Sequence, residues 1–460
     1  MKKKLTVLIT AVVMSIAMLL LSSCGLLASY LPDGSTAYDA AVTRGENGSR
    51  ESWLAGLDSP STELRRLYEE AKADGSFTGT YYEFLKDLGV SETNGAYVQT
   101  ALRSAVSIVA KFSSGKRGED DYYSAGSGVI YELDTTKGDA LIITNYHVIY
   151  DADSNGGEHV RHISDEITIY LYGGEISSGA IPATYLGGAM QYDIAVLSVE
   201  DCPLLKETEG NHVYAKEIVG ANTDALTVGE KVYAIGNAEG EGLSVTEGIV
   251  SVDAEYIDIY AADGKTMLNL LEIRTDAAVN HGNSGGGLFN TSGELVGIVN
   301  ARSEATGAVA FGYAIPANLV LSLAQNIIDT CTADSHVRGA VVARLGITAQ
   351  VEQSRGVFDE ATGKMYKEET IVISEISIGG IAYDSKKLFT GDTLVFAKLS
   401  STRGGVPYER EVAITRLYKL TNLLFEVRGG DTLTLTISRG GELIEVEIKY
   451  ESKDYFTTMQ

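Results

Sequence analysis

Between residues 101 and 315 the chain alternates short β-branched runs with glycine-rich turns. The clearest runs are Val106–Val109, Gly128–Tyr131, Ile167–Tyr170, Ile194–Leu197 and Lys231–Ile235. Many short strands at this spacing are typical of a β-barrel or a β-sandwich. Because about 215 residues is generous for one sandwich, the pattern favours a double barrel.

The hydrophobic period changes after this region. One helix over residues 316–330, with Pro316 near its start, is compatible with the apolar residues Leu319, Leu321, Leu323, Ile327 and Ile328. Residues 340–450 return to strand-like runs separated by glycine turns at 379–380, 391–392, 429–430 and 440–441. The pattern therefore predicts a second, smaller domain after the barrel region.

The first residues have the pattern of a secretory signal. Three lysines precede the apolar run Leu5–Leu21, and Leu21-Ser22-Ser23-Cys24 follows it. A transmembrane anchor is the alternative, because the run approaches the length that spans a bilayer. Leu-Ser-Ser-Cys resembles the lipobox of bacterial lipoproteins, which implies cleavage after residue 23 and a diacylglycerol on Cys24. The signal and the transmembrane interpretation both place residues 25–460 outside the cytoplasm. The lipobox resemblance adds a lipid anchor to the membrane at Cys24.

Residues 24–97 are predicted to form a tether and two short helical repeat units. Tyr38, Trp53 and Leu54 recur as Tyr68, Phe84 and Leu85 after an offset of 30 that becomes 31. Two such units are too few for an independent solenoid. We interpret this region as a spacer.

Composition narrows the choice of partners. The formal net charge is −25, so the protein would repel phosphate backbones and nucleic acid is not an expected partner. Hydrophobic residues make up 44% of the chain, enough for a sizeable core. Cys202 and Cys331 could pair in an oxidising compartment, although two free thiols are the simpler interpretation.

Three residues that could form a nucleophilic site lie at the edges of predicted β elements. Ser284 lies in the glycine-rich segment Gly282–Gly287, His147 follows an apolar strand, and Asp193 precedes another. A serine nucleophile needs an exposed hydroxyl, a base and nearby N–H donors. Taken singly, each residue fits a turn or a structural role equally well.

The order of the three residues separates two hydrolase folds. Gly282–Gly286 also satisfies Gly-x-Ser-x-Gly, but an α/β-hydrolase needs the order Ser, acid, His. His336 is the only histidine after Ser284, and no doubly wound pattern surrounds it. The order His147, Asp193, Ser284 is that of chymotrypsin-like enzymes.

The chain resembles the HtrA/Deg family of serine proteases, with an ordered match over roughly residues 101–330. The segments that carry the resemblance are Thr275–Gly286, Gly126–Ile130, Thr144–Val148, Tyr192–Leu197, Gly236–Ala238, Thr246–Ser251 and Phe311–Pro316. The resemblance implies a mainly β fold: a chymotrypsin-like double β-barrel over residues 98–332, a PDZ-like β/α domain after it, and a short helical N-terminal region before it.

The resemblance also implies residue roles. Ser284 would be the nucleophile, His147 the base and Asp193 the residue that orients His147. The N–H groups of Gly282 and Ser284, with Asn283, would form the oxyanion hole. His281 stands where relatives often carry proline and is given no catalytic role, and no metal or nucleotide cofactor is needed.

Substrate preference depends on the residues near Ser284. In the resembling fold, Ala278 and Val279 would line the primary pocket and Ala301 its facing wall. Because none of these is acidic, we expect cleavage after small aliphatic residues rather than after Lys or Arg. Glu158, His159 and His162 are too few ligands in an Asp/Asn/Gly-rich loop to predict a metal site.

Residues 340–452 resemble a PDZ domain. Leu345, Gly346 and Ile347 would cradle a peptide carboxylate, and the segment 414–425 would line the groove. A β cap without ligand is the alternative. The segment 352–369 is longer than a minimal PDZ domain needs.

The sequence therefore predicts an extracytoplasmic, lipid-anchored endopeptidase that cleaves misfolded or regulatory proteins and binds peptide C-termini. Family resemblance implies a homotrimer. The alternative function is a catalytically silent peptide-binding scaffold.

Overall fold

The computed structural model describes residues 95–113, 120–154, 162–174, 177–302, 311–333, 336–360 and 362–459. The predicted signal segment with Cys24 and the predicted tether and repeats before residue 95 lie outside these residues, as do Glu158 and His159. Within the described ranges, no helix is both long and apolar enough to cross a membrane.

The first six strands close into a barrel with the order β1-β2-β3-β6-β5-β4. They are β1 (Ala105–Phe112), β2 (Tyr122–Asp134), β3 (Asp139–Asn145), β4 (Glu166–Leu171), β5 (Ile181–Ala189) and β6 (Ile194–Val199). A short helix, α1 (Gly95–Leu102), precedes the barrel, and one helical turn, α2 (Tyr146–Ile149), follows β3. Isoleucine and valine side chains that alternate into the interior form the core.

The next six strands close into a second barrel with the order β10-β11-β12-β9-β8-β7. They are β7 (Lys231–Gly236), β8 (Ser244–Tyr260), β9 (Met267–Thr275), β10 (Gly287–Asn290), β11 (Leu295–Arg302) and β12 (Gly312–Pro316). Closure removes the unpaired sheet edges that would otherwise need protection.

Helix α3 (Ala317–Ala333) begins directly after Pro316 and buries one apolar face against both the barrels and the following domain. Asn326 on this helix is fully buried. Its amide donates to the carbonyls of Val341 and Phe425 at 3.0 and 2.8 Å, and its oxygen accepts the Val341 N–H at 2.8 Å. One side chain therefore joins the helix to the C-terminal domain, which lies in the same compact unit.

The C-terminal domain is a sheet with the strand order β14-β15-β16-β18-β19, in which β17 pairs with β16. Its strands are β14 (Ile347–Asp359), β15 (Lys364–Ile376), β16 (Thr393–Arg403), β17 (Val406–Ala413), β18 (Thr432–Arg439) and β19 (Glu442–Lys449). A separate pair joins β13 (Ala340–Ala343) and β20 (Phe456–Met459), and helices α4 (Ile381–Ser385) and α5 (Leu417–Leu424) cover the core.

The mainly β fold class is confirmed, and each strand run named in the sequence lies in a strand. The helix predicted over residues 316–330 is Ala317–Ala333, displaced only at its ends, because helix boundaries depend on caps that hydrophobic periodicity does not show. The segment 352–369, which the sequence comparison marked as long, lies within the β14–β15 hairpin. Cys202 and Cys331 are both free and buried, in different core clusters, so they do not form the disulfide considered as one alternative.

Replacing Asn326 by leucine should destabilise the protein by about 2–4 kcal/mol, because the buried Phe425 carbonyl and the half-buried N–H and carbonyl of Val341 lose their Asn326 partners. Chemical denaturation measures the loss. Thr332→Ala, at an exposed position of the same helix, is the control and should stay within about 0.5 kcal/mol of the parent. A loss no larger than that of the control would contradict the proposed tie.

Candidate active site

The pairing of β3 with β6 brings His147 and Asp193 together. Asn145, the last residue of β3, lies opposite Ile194, the first residue of β6. His147 follows Asn145 on helix α2, and Asp193 immediately precedes Ile194. Two residues far apart in sequence therefore meet at one end of the first barrel.

Asp193 holds His147 through two hydrogen bonds. Its Oδ2 lies 2.6 Å from His147 Nδ1, and its Oδ1 accepts the His147 backbone N–H at 2.9 Å. Asp193 has a left-handed φ of 51°, and its carbonyl accepts from the Tyr146 N–H at 3.0 Å and the Asn145 amide at 2.9 Å. These bonds fix both the carboxylate and the imidazole that it orients.

The carboxylate sets the protonation behaviour of His147. Asp193 is only 4% exposed. Burial lowers the pKa of His147, whereas the charge and hydrogen bond of Asp193 raise it. The Asp193 contributions prevail, so the pKa lies above its usual value of about 6.5. The imidazole is therefore a stronger base than an isolated histidine.

Ser284 lies on a loop between β9 and β10 that is fastened to β11. The Gly285 N–H donates to the Val299 carbonyl at 2.9 Å, and the Val299 N–H donates to the Gly286 carbonyl at 2.8 Å. Gly285 has a φ of +83°, and a Cβ there would lie 2.1 Å from the Ser127 carbonyl oxygen. Glycine is required because both the conformation and the close approach exclude a side chain.

The Ser284 hydroxyl donates to the carbonyl of Asn300 at 3.2 Å. No hydrogen bond joins Ser284 to His147 within the described residues. Catalytic hydrogen bonds in unliganded enzymes are often formed only when substrate binds. Proton transfer to His147 requires the hydroxyl to turn away from Asn300.

Two backbone N–H groups at this loop are available for an oxyanion. Among the described residues, neither Gly282 nor Ser284 donates its N–H to an acceptor. The His281 carbonyl accepts the Glu239 N–H at 2.7 Å, and because the carbonyl and N–H of a trans peptide point in opposite directions, the Gly282 N–H is directed away from Glu239.

The structure differs from the predicted oxyanion hole at Asn283, whose N–H is not free. Its N–H donates to the Asn280 carbonyl at 3.1 Å and is therefore engaged within the loop. Its side chain is buried, with only 4% of the residue exposed. The donor pair that the geometry leaves consists of Gly282 and Ser284 alone.

Ser127 is a site residue that sequence reasoning did not single out. It is fully buried, and its hydroxyl donates to the Gly282 carbonyl at 2.7 Å and accepts the Asn237 N–H at 2.7 Å. Its own N–H donates to the Ser284 carbonyl at 2.8 Å. Its sequence signal is a serine between two glycines, Gly126 and Gly128, within a segment that carries the family resemblance.

The expected pocket residues have different environments. Ala278 is exposed, whereas Val279 is 8% exposed and packs into the core of the second barrel. The backbone of Ala301 pairs with Tyr313 between β11 and β12. Of Ala278 and Val279, Ala278 is the residue that a substrate could reach.

The expected peptide-binding residues border a groove of about 580 Å³ between β14 and helix α5. Leu345 is 3% exposed, Gly346 has a φ of +76°, and Ile347 begins β14. Within the described ranges, the N–H groups of Leu345 and Gly346 donate to no acceptor. Strand β14 lies at the edge of its sheet, so its outer backbone groups face the groove side without a neighbouring strand.

In the part of the chain that the structure describes, no group of three or more His, Cys, Asp or Glu residues is arranged to hold a metal ion. His162, which the sequence placed near a possible metal site, uses Nδ1 to contact the Ser154 carbonyl at 2.9 Å. Its predicted neighbours lie outside the described residues.

Residues 126–298 match the family described as "Trypsin-like peptidase domain". The two six-stranded barrels are those of this class, and His147 is paired with Asp193 at the end of the first barrel. The fold and the family match therefore define a trypsin-like serine peptidase.

Comparison with curated proteins gives the family. The chain is 30% identical over 351 residues to "Serine protease Do-like HtrA" of Bacillus subtilis (strain 168), covering 75% of this chain and 68% of that protein. It is 31% identical over 322 residues to "Serine protease Do-like HtrB" of the same strain, covering 69% of this chain and 60% of that protein. It is 37% identical over 209 residues to "Periplasmic pH-dependent serine endoprotease DegQ" of Escherichia coli (strain K12), covering 44% and 37%. The chain belongs to the HtrA/Deg family of serine proteases and is a serine endopeptidase.

The raised pKa of His147 predicts the acid limb of the activity. Protonated His147 cannot accept a proton from Ser284, so activity should rise with pH through an apparent pKa above 6.5. The second-order rate constant for labelling by a fluorophosphonate, measured from pH 5 to 9, tests this. Ser284→Ala is the control and should not be labelled at any pH. A midpoint below 6.5 would contradict the assignment.

Proposed function

We propose that this chain is an extracytoplasmic endopeptidase that cleaves misfolded or regulatory proteins through an acyl-enzyme formed on Ser284. The observation that supports it most strongly is the pair of hydrogen bonds that the Asp193 carboxylate accepts from the ring and the backbone N–H of His147, at 2.6 and 2.9 Å. They orient an imidazole of raised pKa beside the fastened serine loop.

In the first half-reaction, Ser284 Oγ attacks the scissile carbonyl carbon while His147 Nε2 accepts the hydroxyl proton. The oxyanion receives hydrogen bonds from the N–H groups of Gly282 and Ser284, each worth about 3 kcal/mol of transition-state stabilisation. The carbon–nitrogen bond then breaks, and His147 gives its proton to the leaving amine. Asp193 holds the imidazole tautomer and stabilises the imidazolium.

The second half-reaction repeats these steps with water. His147 accepts a proton from water as the water oxygen attacks the acyl carbon. A second oxyanion then forms at the same two N–H groups. The ester bond to Ser284 breaks, and His147 returns the proton to Ser284 Oγ. The products are a new amine and a new carboxylic acid, and no cofactor takes part.

Substrate preference is proposed from the residues near the nucleophile. Exposed Ala278 carries no charge, so the site provides no counter-ion for Lys or Arg at this position. We expect cleavage after small aliphatic residues such as Val or Ala.

Location and assembly are also proposals. The segment before Cys24 supports export and lipid attachment at that thiol, which membrane fractionation of the Cys24→Ser variant tests: release of the variant supports the anchor and retention opposes it. A homotrimer is the assembly that the family resemblance suggests, and light scattering of the purified protein measures it.

Labelling of the protein by a fluorophosphonate tests the nucleophile. The parent should gain one adduct, located on Ser284 by peptide mass spectrometry, and Ser284→Ala should gain none. Digestion of an unfolded protein by the parent should then yield new C-termini at Val or Ala. Dominant cleavage after Arg or Lys would reject the pocket assignment, and no labelling with or without an unfolded substrate would favour the silent scaffold.

We propose further that the groove beside β14 binds peptide C-termini. A peptide would add as a strand to the free edge of β14, and its carboxylate would meet the N–H groups of Leu345 and Gly346. Leu424, half-buried in the groove lining, would contact an apolar side chain of the peptide.

Leu424→Glu should weaken binding of a peptide with an apolar C-terminal residue at least tenfold, because an unpaired charge is placed in an apolar groove. Calorimetric titration measures the dissociation constant. Leu443→Glu, at a 67%-exposed position on the far strand β19, is the matched control and should bind normally. Equal affinity for a C-terminally amidated peptide would contradict carboxylate recognition, and no saturable binding to any peptide would favour a structural cap.

A further inference from the structure

A glutamate lies in the interior of the protease, between two apolar residues of its strand. Glu272 is in the middle of β9, flanked by Leu271 and Ile273, and its exposed fraction is 0%. Glutamate is rarely fully buried unless it has a partner, because burial removes the solvation of its charge. Its position therefore requires an explanation that packing alone does not provide.

The partner of Glu272 is Asn300. Glu272 Oε1 accepts a hydrogen bond from Asn300 Nδ2 at 2.7 Å, and Asn300 is itself only 5% exposed. Glu272 Oε2 is buried and has no hydrogen-bond partner. The two buried side chains thus form a polar pair joined by one hydrogen bond.

Asn300 occupies an irregular position in its strand. The register between β11 and β12 shifts between Val299 and Ala301, so Asn300 is the residue of a β-bulge. Bulges next to active sites redirect backbone and side-chain groups. Here the Asn300 side chain points inward to Glu272, and its carbonyl accepts the Ser284 hydroxyl at 3.2 Å.

We propose that Glu272 is a positioning residue of the active site, which anchors the Asn300 bulge through the Asn300 side chain and thereby places the carbonyl that holds the Ser284 hydroxyl. The proposal rests on the proposed nucleophilic role of Ser284. Glu272 itself does not touch the reacting atoms.

The neutral form of Glu272 suits this role. Burial raises the pKa of Glu272 well above its usual value, the Asn300 hydrogen bond opposes the shift, and the nearby Asp193 carboxylate adds to it. Across the strand pair lies Glu255, whose carboxylate Arg274 holds at 3.1 Å, and Asp193 is paired with His147. Because a second buried negative charge near Asp193 would be unfavourable, these surroundings favour the neutral form of the Glu272 carboxyl.

Two substitutions of Glu272 distinguish an anchoring role from a packing role. Glu272→Gln keeps the shape and retains an oxygen that can accept from Asn300. Glu272→Leu keeps a similar volume but leaves the buried Asn300 amide without its acceptor. A residue that only fills space would tolerate leucine, whereas an anchor for the bulge would tolerate glutamine.

The rate constant for fluorophosphonate labelling of Ser284, measured with the full chain, distinguishes these roles. Glu272→Leu should slow labelling roughly tenfold, because small displacements of reacting groups are costly, and Glu272→Gln should recover most of the rate. Glu426→Leu is the matched control: this glutamate is also buried, at 6% exposure, but belongs to the C-terminal domain. Its folded protein should be labelled at the parental rate.

A double-mutant cycle tests the route through Asn300. If Glu272 acts through that side chain, Asn300→Ala combined with Glu272→Leu should slow labelling no further than the slower single variant. Multiplicative losses would overturn the proposal, as would parental labelling of folded Glu272→Leu, or a Glu272→Gln variant as slow as Glu272→Leu. Absence of labelling at Ser284 in the parent would instead reject the proposed function.

Urea unfolding provides a readout of the neutral carboxyl that does not depend on activity. In the parent, unfolding releases Glu272 to ionise, so its folded-state contribution to stability is lost as pH rises above the unfolded pKa of about 4.3. The unfolding midpoint of Glu272→Gln should therefore rise relative to the parent between pH 5 and pH 8. A midpoint difference that is the same at both pH values would overturn this step.

Discussion

The active site depends on one buried residue at the seam between the barrels. His147 and Asp193 belong to the first barrel and Ser284 to the second, so the chemistry requires a fixed seam. Ser127 provides it: the hydroxyl bonds Gly282 and Asn237, and the N–H bonds the Ser284 carbonyl. Each bond is modest, but Ser127 itself is fully buried, and a buried polar group that loses its partner costs about 1–3 kcal/mol.

Two buried carboxyl groups near this seam have different roles because their surroundings differ. Asp193 contacts the ring Nδ1 of His147 and accepts the His147 backbone N–H. Glu272 has one neutral donor, Asn300, and the charge of Asp193 nearby. The carboxylate of Asp193 orients the base His147, whereas the carboxyl of Glu272 accepts the Asn300 amide. Environment, rather than residue type, assigns their roles.

The protease and the C-terminal domain share more than a flexible connection. Asn326 of helix α3 bonds the start of that domain, and Arg416, which is 5% exposed, reaches Asp253 of β8 at 2.8 Å and the Ala254 carbonyl at 3.1 Å. Tyr256 of the same strand borders the proposed peptide groove. Buried polar contacts of this kind favour one relative arrangement, because each would be unsatisfied in another.

The sequence by itself determined the strand-rich fold, the long helix and the order His147, Asp193, Ser284, because local periodicity and short motifs record local structure. Tertiary structure alone decided that the Asn283 N–H donates within the loop and that Val279 packs into the core. It alone also placed Ser127 and Glu272 next to the site. These depend on strand register, a bulge and burial, which arise from contacts between residues distant in sequence. No local pattern contains that information.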